Sequence, residues 1–134
     1  MKNRTTDWLT VAEDDLSAII LIIKDAALTH IVAFHAQQAI EKALKAVIEE
    51  FELGNFKSHS LKTLMGIISN HTEIEIDIEE EVIAALESLY IESRYPGSIG
   101  LLPEGKPTIE DAKMYLDTAR QVLTQVRDFL NSDR

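Results

Sequence analysis

The sequence has no cysteine. A disulfide scaffold, a thiolate nucleophile and any cysteine-ligated metal are therefore excluded, and nothing marks the redox compartment. Only three prolines and five glycines interrupt its 134 residues. The glycine-rich loops GxGxxG and GxxxxGK[ST] are missing, which excludes mononucleotide binding of the Rossmann or Walker kind. Long apolar runs are missing as well. The longest, Ile19, Ile20, Leu21, Ile22 and Ile23, falls far short of the roughly 20 residues that cross a bilayer. Lys2 and Arg4 are followed by Thr5, Thr6 and Asp7 and not by an apolar stretch, so no secretory signal or membrane contact is expected and the default expectation is a cytoplasmic protein. Positive charge is scarce: thirteen Lys and Arg face twenty-three Asp and Glu, a net charge of −10. Such a field repels phosphate backbones unless basic groups cluster locally, so generic DNA binding is excluded.

What is present fits one ordinary globular unit, with 46% hydrophobic and 27% charged residues and a length near the roughly 100–150 residues of a typical domain. Residues 1–134 are expected to form a single domain. Apolar residues at three-and-four spacing, Trp8, Val11, Ala12, Leu16, Ile19, Ile20 and Ile23, predict a first helix from residue 7 to about 27. A second, from about 31 to 51, contains no Gly or Pro and carries Ala33, Ala36, Ala39, Ala43 and Ala46, which favour helix with little bulk. A short third helix is expected from 60 to about 68. Residues 73–77 alternate Glu, Ile, Glu, Ile, Asp, the pattern of a half-buried strand, but nothing else in the chain offers a partner strand. Asp77 followed by Glu80 reads as a capping pair for a helix from about 78 to 93, which Pro96 and Gly97 stop. After a loop over 98–107, Thr108 with Asp111 caps a last helix whose stripe runs from Ile109 to Leu130. The expected fold class is all-α, an antiparallel up-and-down bundle of four long helices plus one short helix.

Three places could carry chemistry. On the second helix, Ile40, Leu44, Val47 and Phe51 share one face, and His35, Gln38, Lys42, Lys45 and Glu49 the opposite one. That polar stripe is expected to face away from the core, either as a plain solvated surface or as a binding face on which His35 and Gln38 hydrogen-bond a base or a partner. At the entrance to the short helix, His59 lies between Ser58 and Ser60 and is flanked by Lys57 and Lys62. Either Ser58 or Ser60 caps the helix and His59 packs or caps beside it, or His59 meets an anion there. Finally, Arg94 stands between Tyr90 and Tyr95 ahead of Pro96. It either caps the helix C-terminus or, beside stacking rings, holds a phosphate.

Metal and acyl-transfer chemistry find no pattern. The residues three before His30, His35, His59 and His71 are Ala27, Val32, Phe56 and Ile68, so the Glu-x-x-His motif of bundle di-iron centres is missing. No HxxxH or HExxH pair marks a zinc site, and no GxSxG elbow marks a serine nucleophile. No metal or cofactor is expected. Charge is segregated, with eight acidic and no basic residues between Thr72 and Ser93, while Lys42, Lys45, Lys57 and Lys62 gather around the polar stripe. This is either an acidic solubilising face or a device that steers a partner to one side.

The run Ala33-Phe34-His35-Ala36-Gln37-Gln38-Ala39-Ile40-Glu41-Lys42-Ala43-Leu44-Lys45-Ala46, then His59-Ser60-Leu61 with Leu64, then Tyr90 with Ser93-Arg94-Tyr95-Pro96, resembles the HEPN family (higher eukaryotes and prokaryotes nucleotide-binding). With the helical frame, the resemblance covers nearly the whole chain. It implies a four- or five-helix bundle, commonly a homodimer, that acts beside a minimal nucleotidyltransferase in toxin–antitoxin or defence settings and binds nucleotide or RNA. Many HEPN proteins are metal-independent ribonucleases marked by Arg, four to six residues, then His. From Arg94 those positions hold Ile99, Gly100 and Leu101, and from Arg4 they hold Leu9, Thr10 and Val11. The signature is missing, so the resemblance implies a non-catalytic binding module. His35, Gln38, Lys42, His59, Arg94 and Tyr95 are its candidate ligand-binding residues. The alternatives are a divergent ribonuclease using His35 or His59 with Arg94, and an oligomerisation module whose polar stripe is a dimer seam.

Overall fold

The computed structural model describes residues 1–55, 57–93 and 105–132, with backbone only for 91–93. Five α-helices follow one another: α1 (Asn3–Ile22), α2 (Thr29–Glu50), α3 (Leu61–His71), α4 (Glu80–Ser93) and α5 (Ile109–Asn131), with a 3-10 turn at Ala26–Leu28 between the first two. No strand occurs among the described residues. The protein is all-α, as its apolar spacing predicts.

Local chemistry explains most boundaries. The Thr108 hydroxyl accepts from the Asp111 N–H at 3.0 Å while the Asp111 carboxylate accepts from the Thr108 N–H at 3.0 Å, a complete capping box at the start of α5. Ser60 caps α3 by accepting from the Thr63 N–H at 3.2 Å. Asp25 accepts from the Ala27 N–H at 2.9 Å and so ends the first helical segment earlier than periodicity suggests. The start of α4 differs from expectation. The Glu79 carbonyl takes the N–H groups of Val82 and Ile83, so the helix opens at Glu80 and Asp77 belongs to the extended stretch before it. In that stretch the alternation is real but unpaired: Ile74 and Ile78 are buried, Ile76 is half-buried, and Glu73, Glu75 and Asp77 are exposed. A period-two segment needs only an apolar floor to lie on.

The bundle is organised around α2, on which α1, α3, α4 and α5 all pack. Thirteen of its 22 residues are buried, among them Ala33, Ala36, Ala39, Ala43 and Ala46. Small side chains along that helix let four neighbours approach its axis closely. Thr5 meets Glu50 while Asp15 meets His35 and Lys42, so α1 runs antiparallel to α2. Thr29 donates to the Pro107 carbonyl at 2.6 Å and Phe51 packs on Phe129 at 5.7 Å, so α5 runs in the same direction as α2. Near that first junction, Lys106 donates to the Ala27 carbonyl at 3.2 Å. His30 lies close by with a buried Nδ1 that has no hydrogen-bond partner. Burial first, and the positive charge of Lys106 second, hold its pKa below the ordinary histidine value.

The central position of α2 corrects one expectation. The row His35, Lys42, Lys45 and Glu49 does not face away from the protein; it lies against α1. Lys42 and His35 bond Asp15, Lys45 sits 5.6 Å over the Trp8 ring, and Glu49 pairs with Arg4. A helix enclosed by four others has no broad solvent face on which to leave its charges.

Candidate functional site

Two buried carboxylates organise the polar residues of α2, and both do so in the same way. On the α1 side, Asp15 is 9% exposed at its side chain. Its Oδ1 lies 2.8 Å from His35 Nδ1 and its Oδ2 lies 2.7 Å from Lys42 Nζ. On the α3 side, Glu41 is 5% exposed. It accepts from Lys45 Nζ at 3.0 Å and from Gln37 Nε2 at 3.2 Å, and both its oxygens lie 3.2 Å from His59 Nδ1. Each carboxylate thus holds one lysine and one histidine. An ionised carboxylate only accepts, so each contact is a hydrogen bond when the proton sits on the ring Nδ1.

Burial of a carboxylate is tolerable only when its lone pairs are met by donors, and here four contacts reach Glu41. The i, i+4 spacing of Gln37, Glu41 and Lys45 brings the first three groups together on one helix face. Gln37 also donates to the His59 carbonyl at 3.1 Å, and Gln38 donates to Gln37 Oε1 at 2.8 Å. The chain Gln38, Gln37, Glu41 therefore holds both ring and backbone of His59, whose side chain is still 52% exposed.

A row of rings joins the two histidines. His35 meets Phe34 edge-on at 5.4 Å, Phe34 stacks on Tyr90 of α4 at 5.7 Å, and Tyr90 meets His59 at 5.8 Å. At the same end of the bundle Ser60 and the Lys62 N–H both contact Glu87 of α4, which fixes the entrance of α3 against α4. Lys57 and Lys62 beside it are exposed. The structure thus joins His35 to Lys42 through Asp15, and Gln38 to His59 through Gln37 and Glu41, as two clusters on different sides of α2. It also gives them different surroundings: Lys42 is 23% exposed and committed to Asp15, whereas His59 is open to solvent. Arg94 and Tyr95 lie outside the described residues. Among the described residues, no group of three or more His, Asp and Glu is arranged to hold a metal ion.

Sequence reasoning overlooked Asp15, Gln37 and Glu41. The two α2 residues carried a signal, since Gln37, Glu41 and Lys45 repeat at four. Asp15 carried none, being one of several acidic residues on α1.

The family model of the HEPN domain matches residues 5–129. The chain belongs to the HEPN family. This HEPN domain is 31% identical over 128 residues to the Methanocaldococcus jannaschii protein named "Putative toxin MJ1304", an alignment covering 89% of this chain and 83% of the relative. Among solved structures it is similar to TT1696 from Thermus thermophilus, with a TM-score of 0.69, 28% identity, and 95% and 98% of the two chains covered. It is also similar in fold to ST0689, an archaeal HEPN homologue, with a TM-score of 0.63, 23% identity, and 98% and 100% covered. No helix among the described residues is long and apolar enough to cross a membrane.

Proposed function

We propose that this HEPN domain is a nucleotide- or RNA-binding module of a toxin-like pair, working as a cytoplasmic homodimer with a minimal nucleotidyltransferase. The toxin-like setting is supported by the name of the archaeal relative, and the dimer and partner by the family resemblance. The observation that carries the site is His59: half-exposed, fixed through Nδ1 by buried Glu41, and next to the stacked Phe34 and Tyr90 rings. In this reading the exposed Lys57 and Lys62 meet phosphate, His59 Nε2 accepts a hydrogen bond from a ribose 2′-hydroxyl or a base N–H, Tyr90 supplies a stacking surface for a base, and Arg94 and Tyr95 are further candidate contacts. His35 and Lys42 serve mainly to hold α1 on α2. The test is fluorescence anisotropy with a labelled single-stranded RNA, repeated with ATP as competitor. His59→Ala is expected to weaken RNA binding about tenfold, the loss of one hydrogen bond. Unchanged affinity in that variant refutes the site.

The contact between Glu41 and His59 also favours a second reading, metal-independent cleavage of RNA. Attack by a 2′-hydroxyl needs a base to take its proton and a cation on the phosphate, roles that His59 Nε2 and Arg94 would fill. RNA incubated with the purified protein in chelator is then cut, and His59→Ala abolishes the cutting. No cleavage beyond a mock preparation removes this reading.

A further inference from the structure

We infer that Glu41 and Gln37 are positioning residues that select the Nδ1–H form of the His59 ring and aim its Nε2 lone pair out of the bundle at the ligand. This rests on the reading of His59 as the ligand-contacting group. A half-exposed histidine on a loop ordinarily rotates and exchanges tautomers freely. Here the ring nitrogen faces both oxygens of a carboxylate that cannot donate. That carboxylate is itself immobile, because Lys45 and Gln37 occupy its remaining acceptor sites and it is almost wholly buried. Gln37 fixes the other end of the residue by donating to the His59 carbonyl, and its amide is oriented in turn by Gln38. Ring and backbone are thus held from one helix face. A histidine with one nitrogen fixed in this way presents the other as an acceptor of known direction.

The experiment is ¹⁵N NMR of the histidine side chains in the full chain above neutral pH, which reports the protonated nitrogen of each ring. Three proteins are compared: the natural chain, Glu41→Gln, and Glu41→Met combined with Lys45→Met. The double variant removes both charges together, so no buried ion is stranded and the fold is retained. Expected are an Nδ1–H pattern for His59 in the natural chain, its retention in Glu41→Gln, whose amide oxygen still accepts, and its loss in the double variant. A purely structural Glu41 would alter stability and leave the His59 pattern as it was; a double variant that keeps Nδ1–H overturns the inference. The same three proteins are then titrated with the single-stranded RNA probe, and affinity is expected to fall about fivefold in the double variant alone. If the tautomer responds as stated while His59→Ala binds RNA like the natural chain, the positioning role stands and the proposed binding site falls.

Discussion

Asp15 offers the sharpest test of how the helices are held together. Its side chain is 9% exposed, that of Lys42 is 23% exposed, and the two meet at 2.7 Å, with His35 on the second oxygen at 2.8 Å. Asp15→Ala deletes both contacts and leaves the ammonium of Lys42 in a partly dry seam. Breaking a fully buried pair costs about 3–5 kcal/mol. Lys42 has a flexible stem and a route to water, so the loss here should be nearer 2 kcal/mol, the contribution of a single hydrogen bond to a charged group. Urea unfolding followed by circular dichroism measures this directly. The two single variants and Asp15→Ala with Lys42→Ala close a double-mutant cycle with an expected coupling of about 1–2 kcal/mol. Asp15→Leu with Lys42→Met, which replaces the pair by apolar groups, is expected to recover most of the stability. A loss below about 0.5 kcal/mol for Asp15→Ala, or singles that simply add, refutes the claim that this pair pins α1 to α2.

Thr108→Ala removes one half of the capping box of α5 and should cost about 1 kcal/mol, seen as a fall in Tm of about 3–5 °C. Ala43→Leu places three extra carbons where the alanine is fully buried between helices. A destabilisation of about 1–3 kcal/mol in urea is expected, and a neutral result would mean that α2 is less tightly enclosed than described. Because the folded-state pKa of His30 is lowered, the unfolded chain binds the proton more readily. Stability is then undiminished above the ordinary histidine value of about 6.5, falls as pH drops through it, and levels off below the folded value. His30→Asn should make unfolding measured between pH 8 and 5 less steep, and an identical pH profile would exclude the assignment.

Much of the frame was legible in the chain itself, since helices announce themselves through three-and-four spacing and through caps such as Ser60 and Thr108, all interactions within a few residues. The start of α4 was not: Asp77 with Glu80 reads as a capping pair, yet the helix opens at Glu80, after a stretch in which Ile74 and Ile78 are buried. Within the site, the residues of α2 were visible as a stripe. Their partners were not: the groups completing the two clusters, Asp15 and His59, lie 20 residues before His35 and 18 beyond Glu41.

The sequence by itself determined the class of fold, the number of helices and the family, because propensity, capping and apolar periodicity act locally and add along the chain. Only the tertiary structure decided which charges are committed to holding helices together and which remain available. Periodicity names the residues that share a face but not the helix that will cover it. Enclosure of α2 by four neighbours turned an expected outer stripe into a seam, bound Lys42 and Lys45 to carboxylates, and left His59 open at the edge.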